Sequence, residues 1–371
     1  MRRETIPRQL LRLPQLLILG LVYLLVRAAS KAPSIVESFY SQKLYPIIRN
    51  AVSAVTRVVP FCLAELIAAI VAAAIVIVLI VRVIKLILIR KKALVRLISL
   101  VITVALTAAY LVFAFYVMWG FNLFRTPIDE KLDLPEREYT AEELYSVCVD
   151  LAENASRLRE QVETDADGVF TWDLASMKES VRRAYAEFGS SRPSFKADVP
   201  PVKEAASSKF LSACGISGMY IFLTEEPLIN TDEPFLYIPM NAAHETAHYV
   251  GYAREEEANF LAFLVCADSS DPELAYSGYM HALAHCGSAL ASSDADLYAR
   301  LREYYSEGML KDLANYSEHY RKYSDTEIWN TANDLNDNYL KLNKQEKGVL
   351  SYLEDTALIL RYYDSRRFFN Q

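Results

Sequence analysis

The stretch NAAHETAHYVGYAREEEANF, residues 241–260, places two histidines four positions apart and follows them with three consecutive glutamates. Residues four apart lie on one face of an α-helix, so His244 and His248 can direct a ring nitrogen at one metal ion. Glu245 is rotated by about 100° from His244, which places its carboxylate beside the ion, where it can accept a proton from metal-activated water. The HExxH pattern therefore predicts a zinc-dependent hydrolytic site on a helix.

This zinc site needs a third protein ligand, because catalytic zinc ions have three protein ligands and one position left for water. Gly251 can end the first helix in the left-handed conformation, and a second helix is then predicted to begin near Arg254. The second helix is almost wholly apolar over residues 258–267, so we expect it to be buried. The three glutamates at its start are the candidate ligands, although a helix N-terminus also favours a solvated carboxylate, most simply Glu256.

The segment resembles the glutamate-zincin metallopeptidases, in which a Glu on the following helix is the third ligand and a residue four positions later supports the site. That resemblance implies Glu255 as the third ligand and Asn259 as the supporting residue, with Glu257 as the second choice of ligand. Arg254 stands where the metzincins carry a third histidine, which excludes that class of metallopeptidase.

A wider resemblance covers nearly the whole chain, which is similar to a family of bacterial membrane proteins of unknown function. Members of that family combine N-terminal membrane spans with an HExxHxxGxxRExEANF segment. Besides this segment, the resemblance is carried by YSQKLYP (40–46), WGFNLFR (119–125), YSGY (276–279) and NYLKLNKQEKGVLSY (338–352). It implies the same architecture and the same metal site, and it implies no particular reaction.

The composition divides the 371 residues into two chemically different parts. Residues 1–121 carry fifteen Lys and Arg against three Glu, a net charge of +12, whereas residues 122–371 carry 24 basic and 43 acidic residues, a net charge of −19. The acidic part is unsuited to nucleic acid as a partner. With 53% hydrophobic residues overall, the chain must bury a large apolar surface in a core, a bilayer or both.

Three apolar segments in the first part are predicted to cross a membrane. Leu97–Trp119 contains 23 residues without a charge, enough to span a hydrocarbon layer of about 30 Å as a helix. A second span is predicted at about 63–84 and a first at about 11–29, although the first also has the form of a signal-peptide apolar region. Residues 35–59 have the mixed apolar and basic spacing of an interfacial helix.

The basic residues indicate how this region is oriented in the membrane. Between the second and third spans lie Arg82, Lys85, Arg90, Lys91, Lys92 and Arg96. Because short cytoplasmic loops are enriched in Lys and Arg, this loop is predicted to be cytoplasmic and residues 122–371 to be extracytoplasmic, on a multi-pass protein of the cell membrane. Four basic residues in the first outer loop oppose this assignment: Lys31, Lys43, Arg49 and Arg57.

Residues 122–371 are predicted to form one mainly helical (α+β) zincin-like domain with a small β-sheet. The capping box of Thr140 and Glu143 opens one helix, and Ser176–Phe188 has the pattern of another. Met219–Leu223 and Phe235–Ile238 are short aromatic and β-branched runs bounded by turn residues, which predicts strands. The second of these runs is a candidate edge strand that pairs with an extended peptide substrate.

Two further features of the sequence allow more than one interpretation. His281 and His285 are another pair four residues apart; they can line the cleft, stabilise a transition state, bind a second ion, or have no role in the site. His319 has no predicted role. Cys266 and Cys286 can form a disulfide in an oxidising compartment, or remain buried thiols.

Taken together, these patterns predict a membrane-anchored zinc metallopeptidase that acts on peptide or protein substrates. His244, His248 and Glu255 would hold the Zn²⁺ ion, and Glu245 would be the general base. The alternative is a non-catalytic membrane protein whose metal is a structural or sensing element, which four protein ligands would favour. An intramembrane protease is disfavoured, because the motif lies more than a hundred residues beyond the last predicted span.

Overall fold

The computed structural model describes residues 10–88, 93–324, 326–331 and 352–369. The chain divides into two compact units, each with its own internal packing. The first unit contains the N-terminal residues to 51, residues 63–125 and residues 222–224. The second unit contains residues 52–62, 126–221 and the chain from 225 onward.

The described part of the first unit is helical. Its elements are a 3₁₀-helix Leu10–Leu16, α1 Leu17–Ala29, α2 Pro33–Ile35, a π-helix Val36–Leu44, α3 Tyr45–Thr56, α4 Leu63–Leu88, α5 Ala93–Met118 and a 3₁₀-helix Gly120–Phe124. The last residues of α3, from 52 onward, belong to the second unit. The apolar side chains of α4 over Leu63–Val81 are not buried within the protein. An unburied apolar helix of this length suits a lipid environment better than water.

Two helices are long and apolar enough to span a membrane, Leu63–Val81 and Leu97–Met118, with mean hydropathies of 3.0 and 2.4. The second and third predicted segments are therefore confirmed as helices of spanning length. The first predicted segment, about 11–29, differs from expectation. It reaches the required length only when Leu13–Ala29 is joined to Pro33–Thr56, and these two helices are bent by 102°.

A buried ion pair joins the π-helix of the first unit to the chain just after the 3₁₀-helix Gly120–Phe124. Arg125 donates through Nε and Nη2 to the two carboxylate oxygens of Glu37, each at 2.9 Å. Ser41 Oγ donates to Asn122 Oδ1 at 2.8 Å, which joins two of the segments that carry the family resemblance. Because both oxygens of the carboxylate are used, this charge pair is satisfied in spite of its burial.

The second unit is mainly helical and contains a three-stranded sheet, as predicted. The strands are β1 Lys203–Glu204, β2 Gly218–Ile221 and β3 Glu226–Ile229, in the order β1-β3-β2, with β1 parallel and β2 antiparallel to β3. The helices are α6 Ile128–Lys131, α7 Ala141–Arg159, α8 Leu174–Ser191, α9 Ser208–Ala213, α10 Ile238–Val250, α11 Glu255–Ala267, α12 Pro272–Ser293, α13 Ala295–Leu301, α14 Glu307–Arg321 and the C-terminal helix Tyr352–Phe369.

The helices predicted at α7 and α8 are confirmed, although α8 begins at Leu174, two residues before the predicted Ser176. At α7 the Glu143 N–H donates to Thr140 Oγ1 at 3.2 Å, and the Thr140 N–H donates to Glu143 Oε2 at 3.0 Å, which completes the capping box. At α8 the Asp173 carboxylate accepts from the Ser176 N–H at 2.8 Å. Both caps satisfy backbone donors that have no partner within the helix.

The two predicted strands have different outcomes. Met219–Leu223 is confirmed in part as β2, whereas the strand prediction for Phe235–Ile238 is wrong, because its first three residues form a turn and α10 begins at its end. Ser277 of α12 satisfies the backbone here: its Oγ donates to Leu236 O at 2.7 Å and accepts from Met240 N at 3.1 Å. A short apolar run is compatible with a buried helix start as well as a strand.

The core is formed by helices packed around α11. Helices α10, α11 and α12 pack on one another, α7 lies along α12, the sheet packs against α10, and the C-terminal helix packs against α11 and α12. Every residue from Glu257 to Cys266 of α11 is buried, which agrees with its apolar sequence. In α10 only Asn241 and His244 remain partly exposed. Access to this helix is therefore restricted to one short strip.

A second buried charge cluster joins α7, α12 and α14. Arg159 Nε donates to Asp312 Oδ2 at 2.6 Å, and the Tyr276 hydroxyl donates to the same oxygen at 2.6 Å. The Phe170 N–H donates to Asp312 Oδ1 at 2.8 Å. Because the Asp312 side chain is fully buried, this carboxylate depends on these donors for its stability.

We therefore expect Arg159→Ala to lower the free energy of unfolding by about 3 kcal/mol, because it leaves a buried carboxylate without its counter-ion. For a domain of this size the corresponding fall in melting temperature is about 6–12 °C. Arg157→Ala is the matched control, since Arg157 is exposed on the same helix. Thermal denaturation of the full-length variants in detergent measures both changes. If Arg159→Ala and Arg157→Ala melt at the same temperature, the Arg159–Asp312 cluster does not stabilise the fold.

Candidate metal centre

The predicted turn between the two site helices is present. Gly251 ends α10 with φ of 104°, a left-handed value that suits glycine. The N–H groups of Gly251 and Tyr252 both donate to Ala247 O, at 3.1 and 3.0 Å. These bonds reverse the chain at once, so that only four residues, 251–254, separate the end of α10 from the start of α11 at Glu255.

This reversal brings three potential ligands together. Glu255 Oε2 lies 3.2 Å from His244 Nε2 and 3.6 Å from His248 Nε2, and one ligand atom from each residue lies within 4.8 Å of the others. Ligand atoms about 2.0–2.1 Å from a tetrahedral zinc ion lie about 3.4 Å apart. The three residues therefore form a possible metal-binding triad whose spacing fits such an ion.

The two histidines are held in different ways. His248 Nδ1 lies 2.7 Å from the carbonyl oxygen of Tyr252. In the tautomer that donates this hydrogen bond, Nε2 is the nitrogen that can bind a metal. His244 Nδ1 is buried and has no hydrogen-bond partner among the described residues. The turn after α10 thus orients one ligand directly, whereas packing positions the other.

The charges of the triad are strongly coupled. Burial opposes the ionisation of Glu255, but the adjacent His248 and His244 outweigh it and hold the pKa of this carboxyl well below its usual range. Burial likewise opposes a charge on His248, yet Glu255 raises its pKa to about 9. The carboxylate therefore attracts a positive charge at this position, and a divalent cation can replace the proton.

The structure separates the two glutamates considered as third ligand. Glu257 Oε1 accepts from the Ile128 N–H at 2.8 Å and from Arg254 Nη1 at 2.9 Å. Its carboxylate thus joins α6 to the start of α11, whereas Glu255 faces the imidazoles. The ligand set His244, His248 and Glu255 is the only one of its kind among the described residues.

Asn259 and the second histidine pair lie beside this triad and are linked to the C-terminal helix. Asn259 Nδ2 donates to Asp355 Oδ2 at 3.3 Å, and His285 Nδ1 lies 2.5 Å from the same oxygen. The ring of His281 lies next to that of His285, with centroids 4.2 Å apart and planes tilted by 37°. The Asn259 amide therefore binds Asp355, a residue for which the sequence offers no signal, and its predicted support of Glu255 stays a prediction.

His281 is electrostatically close to the triad. Burial, and then the proximity of His285 and His244, lower its pKa well below the usual value. His281 is therefore neutral and can serve as a hydrogen-bonding group at the edge of the site. The structure does not bring three ligand atoms together at His281 and His285 among the described residues, so it gives no basis for a second ion there. His319 lies 3.9 Å from Asp232 and is not part of the triad.

Glu245 is buried between α10 and β2. Its carboxylate accepts a hydrogen bond from the Tyr220 N–H. Burial raises its pKa to about 7, although the nearby His244 and His248 act in the opposite direction. A carboxylate with a pKa near neutrality is well suited to accept and release a proton at physiological pH.

Gly218 provides the space for this carboxylate. A Cβ atom at Gly218 would lie 2.7 Å from Glu245 Oε1 and 3.0 Å from the carbonyl oxygen of Leu228. Neither distance is compatible with ordinary van der Waals contact. The absence of a side chain at the first residue of β2 is therefore what allows the strand to approach the helix so closely.

β2 presents one edge to the site. Ser217 O accepts from the Asn230 N–H at 2.9 Å, and inter-strand bonds alternate along an antiparallel pair, so the backbone groups of Gly218 and Tyr220 point away from β3. β2 is the outer strand of the described sheet on this side. The Tyr220 N–H that points outward is the one bound to Glu245.

The five cysteines are buried free thiols. Cys266 Sγ lies 3.9 Å from Met240 Sδ, whereas Cys286 interacts with Cys148 across the contact between α12 and α7. The disulfide considered between Cys266 and Cys286 is therefore not formed, and each thiol packs against a different neighbour.

These observations define a mainly helical protein with apolar helices of membrane-spanning length and a possible metal-binding triad. The chain belongs to the family described as "Protein of unknown function (DUF3810)", whose model matches residues 40–360. This confirms the expected membership of a family of unknown function. No curated protein and no solved structure matches the chain significantly.

We expect His248→Ala and Glu255→Gln each to weaken zinc binding by about tenfold to a hundredfold, because each removes a ligand atom. Glu256→Gln is the matched control, since it removes the same charge from the next residue of α11. Zinc content after equilibrium dialysis of the full-length protein distinguishes the variants. If Glu255→Gln retains as much zinc as Glu256→Gln, then Glu255 is not a ligand.

Proposed function

We propose that the protein is a membrane-anchored, zinc-dependent metallopeptidase that hydrolyses peptide bonds in peptide or protein substrates. The observation that carries this proposal is the meeting of two imidazoles and a carboxylate with a second carboxylate, Glu245, beside them but outside the ligand set. Two nitrogen ligands and one oxygen ligand favour zinc over magnesium or calcium. The geometry supports the HExxH interpretation of the sequence.

Three protein ligands would leave one coordination position of the metal open for water or substrate. A zinc ion held by His244, His248 and Glu255 would polarise a carbonyl group and lower the pKa of a water molecule. No fourth Asp, Glu, His or Cys joins this group in the part of the chain that the structure describes. Three protein ligands are typical of catalytic sites and four of structural sites, which favours the enzyme over a purely structural metal protein.

Glu245 is proposed to be the general base. The hydrogen bond from the Tyr220 N–H holds its carboxylate in place, and the space at Gly218 allows it to stay beside the ligand pair. It would take the proton of the attacking water and then transfer it to the nitrogen of the departing amine. A pKa near 7 suits both the acceptance and the release of the proton.

β2 is proposed to bind the substrate backbone. Its outer edge carries the carbonyl groups of Gly218 and Tyr220, which can accept hydrogen bonds from an extended peptide. The Tyr220 side chain also lies beside α10, with its ring centroid 6.5 Å from that of His248. The role expected for Phe235–Ile238 from the sequence is thus transferred to β2, which reaches the ligands directly.

The domain is proposed to act at the extracytoplasmic side of the cell membrane. The two apolar helices of spanning length support attachment to a bilayer. The basic loop between them supports a cytoplasmic position for that loop, and the chain after α5 then lies on the opposite side. Of that loop, residues 89–92 lie outside the described part of the chain.

We expect Glu245→Gln to abolish hydrolysis while the protein keeps one equivalent of zinc, because the amide cannot accept the proton and Glu245 is not a ligand. The expected loss in kcat is at least a hundredfold. Peptide cleavage by full-length protein in detergent, followed by mass spectrometry beside zinc analysis, measures both properties. Unchanged turnover in this variant would remove the assigned role.

Gly218→Ala tests the close approach of β2 to the base. We expect the added methyl group to displace the Glu245 carboxylate and to reduce hydrolysis at least tenfold with zinc content retained. Met219→Ala is the control, because Met219 is the exposed next residue of the same strand. Equal activity of the two variants would contradict the proposed position of the base. A melting curve for each variant shows whether folding has changed.

A further inference from the structure

A carboxylate near the start of α10, that of Glu233, has no part in the mechanism described above. Access to α10 is limited to Asn241 and His244, the only residues of this helix that are not buried. A molecule that extends from His244 towards the start of the helix must therefore pass over Asn241. The side chain that Asn241 contacts there is that of Glu233, whose Oε2 lies 3.3 Å from Asn241 Nδ2.

Glu233 connects the start of α10 to the start of β2. Ser217 Oγ, from the residue immediately before β2, donates to Glu233 Oε1 at 2.8 Å. Further along, Gly218 adjoins Glu245 and Tyr220 adjoins His248. β2 and α10 thus run side by side in the same direction, and Glu233 lies where both begin.

The charge of Glu233 is not balanced by a cation. Its partners are a hydroxyl and an amide, both neutral, and no Lys, Arg or His lies within ion-pair distance of it among the described residues. Burial, together with the neighbouring Asp232, raises its pKa to about 7 in spite of the hydrogen bond from Ser217. A carboxylate in such surroundings gains stability when a positive charge is placed beside it.

The spacing relates this carboxylate to the bond that would be cleaved. Asn241 precedes His244 by three residues, which is about 4.5 Å along a helix axis. One residue of an extended peptide covers about 3.3 Å. A peptide that lies along β2 therefore places a group one or two residues from the scissile bond near Glu233.

We propose that Glu233 is a specificity-determining residue that receives a cationic nitrogen of the substrate, one or two residues from the scissile bond. The inference rests on the proposed peptidase function. The nitrogen belongs either to the free amino terminus of a peptide or to a Lys or Arg side chain, since both offer an ammonium-type donor to a carboxylate. Ser217 and Asn241 orient the carboxylate, and they leave its charge for the substrate.

The test uses zinc-loaded, full-length protein in detergent and a set of matched decapeptides. The set contains peptides with Lys at each position, the same peptides with norleucine in place of Lys, and N-acetylated forms of both. Mass spectrometry gives kcat/KM for each cleaved bond. Norleucine removes only the side-chain cation and acetylation only the terminal one, so the two sources are distinguished.

We expect the wild type to prefer the cationic peptides about tenfold to a hundredfold, as for a hydrogen-bonded charge, and Glu233→Gln to lose that preference with its cleavage of neutral peptides maintained. Asp232→Asn is the matched control, because it removes the adjacent negative charge and should keep the preference. Melting temperature and zinc content verify that each variant is folded.

Each other result overturns the proposal in a recognisable way. If wild type and Glu233→Gln cleave the same bonds with the same preferences, Glu233 is not a specificity residue and the peptidase function stands. If Asp232→Asn loses the preference for cationic peptides as fully as Glu233→Gln, the preference comes from the overall negative charge of this region, and Glu233 is not a specific binding residue. If the zinc-loaded wild type cleaves none of the peptides, the proposed function fails and the subsite fails with it.

Discussion

The contact of Glu255 with His244 and His248 is the interaction on which the proposed site depends. It exists because Gly251 reverses the chain in a conformation that few other residues adopt. The reversal also exposes the carbonyl of Tyr252 to His248. One turn of four residues thus brings Glu255 to the two histidines and orients one of them.

Two buried carboxylates of the second unit, Asp312 and Asp355, are compensated by nearby donors. Asp312 is satisfied by Arg159, Tyr276 and a backbone donor, and Asp355 is bound to His285. Among the described residues, the ion-pair partners of Glu255 are the two imidazoles alone. A protein can bury a carboxylate when a cation or several donors compensate its charge. What points to an ion at Glu255 is the convergence of three potential ligand atoms, which Asp355 and His285 do not have among the described residues.

Several elements could be predicted from the sequence because they depend on neighbours along the chain. The capping box at Thr140, the left-handed Gly251 and the buried character of α11 are local patterns, and the structure contains all three. The prediction of a strand at Phe235–Ile238 was wrong, because Ser277, from a helix far along the chain, hydrogen-bonds the backbone there. β3 escaped prediction because it combines Glu226 and Pro227 with only two aliphatic residues.

The sequence by itself determined the apolar helices and the pairing of His244 with His248, because hydrophobic run length and the helical period act within one segment. It restricted the third ligand to three adjacent glutamates, and the resemblance to glutamate-zincins chose among them. Only the tertiary structure directed Glu255 towards the imidazoles and Glu257 towards Ile128. It also placed Glu245 and Glu233 beside a strand that precedes them in the chain. Contacts between segments depend on how whole elements pack, and no local pattern records that packing.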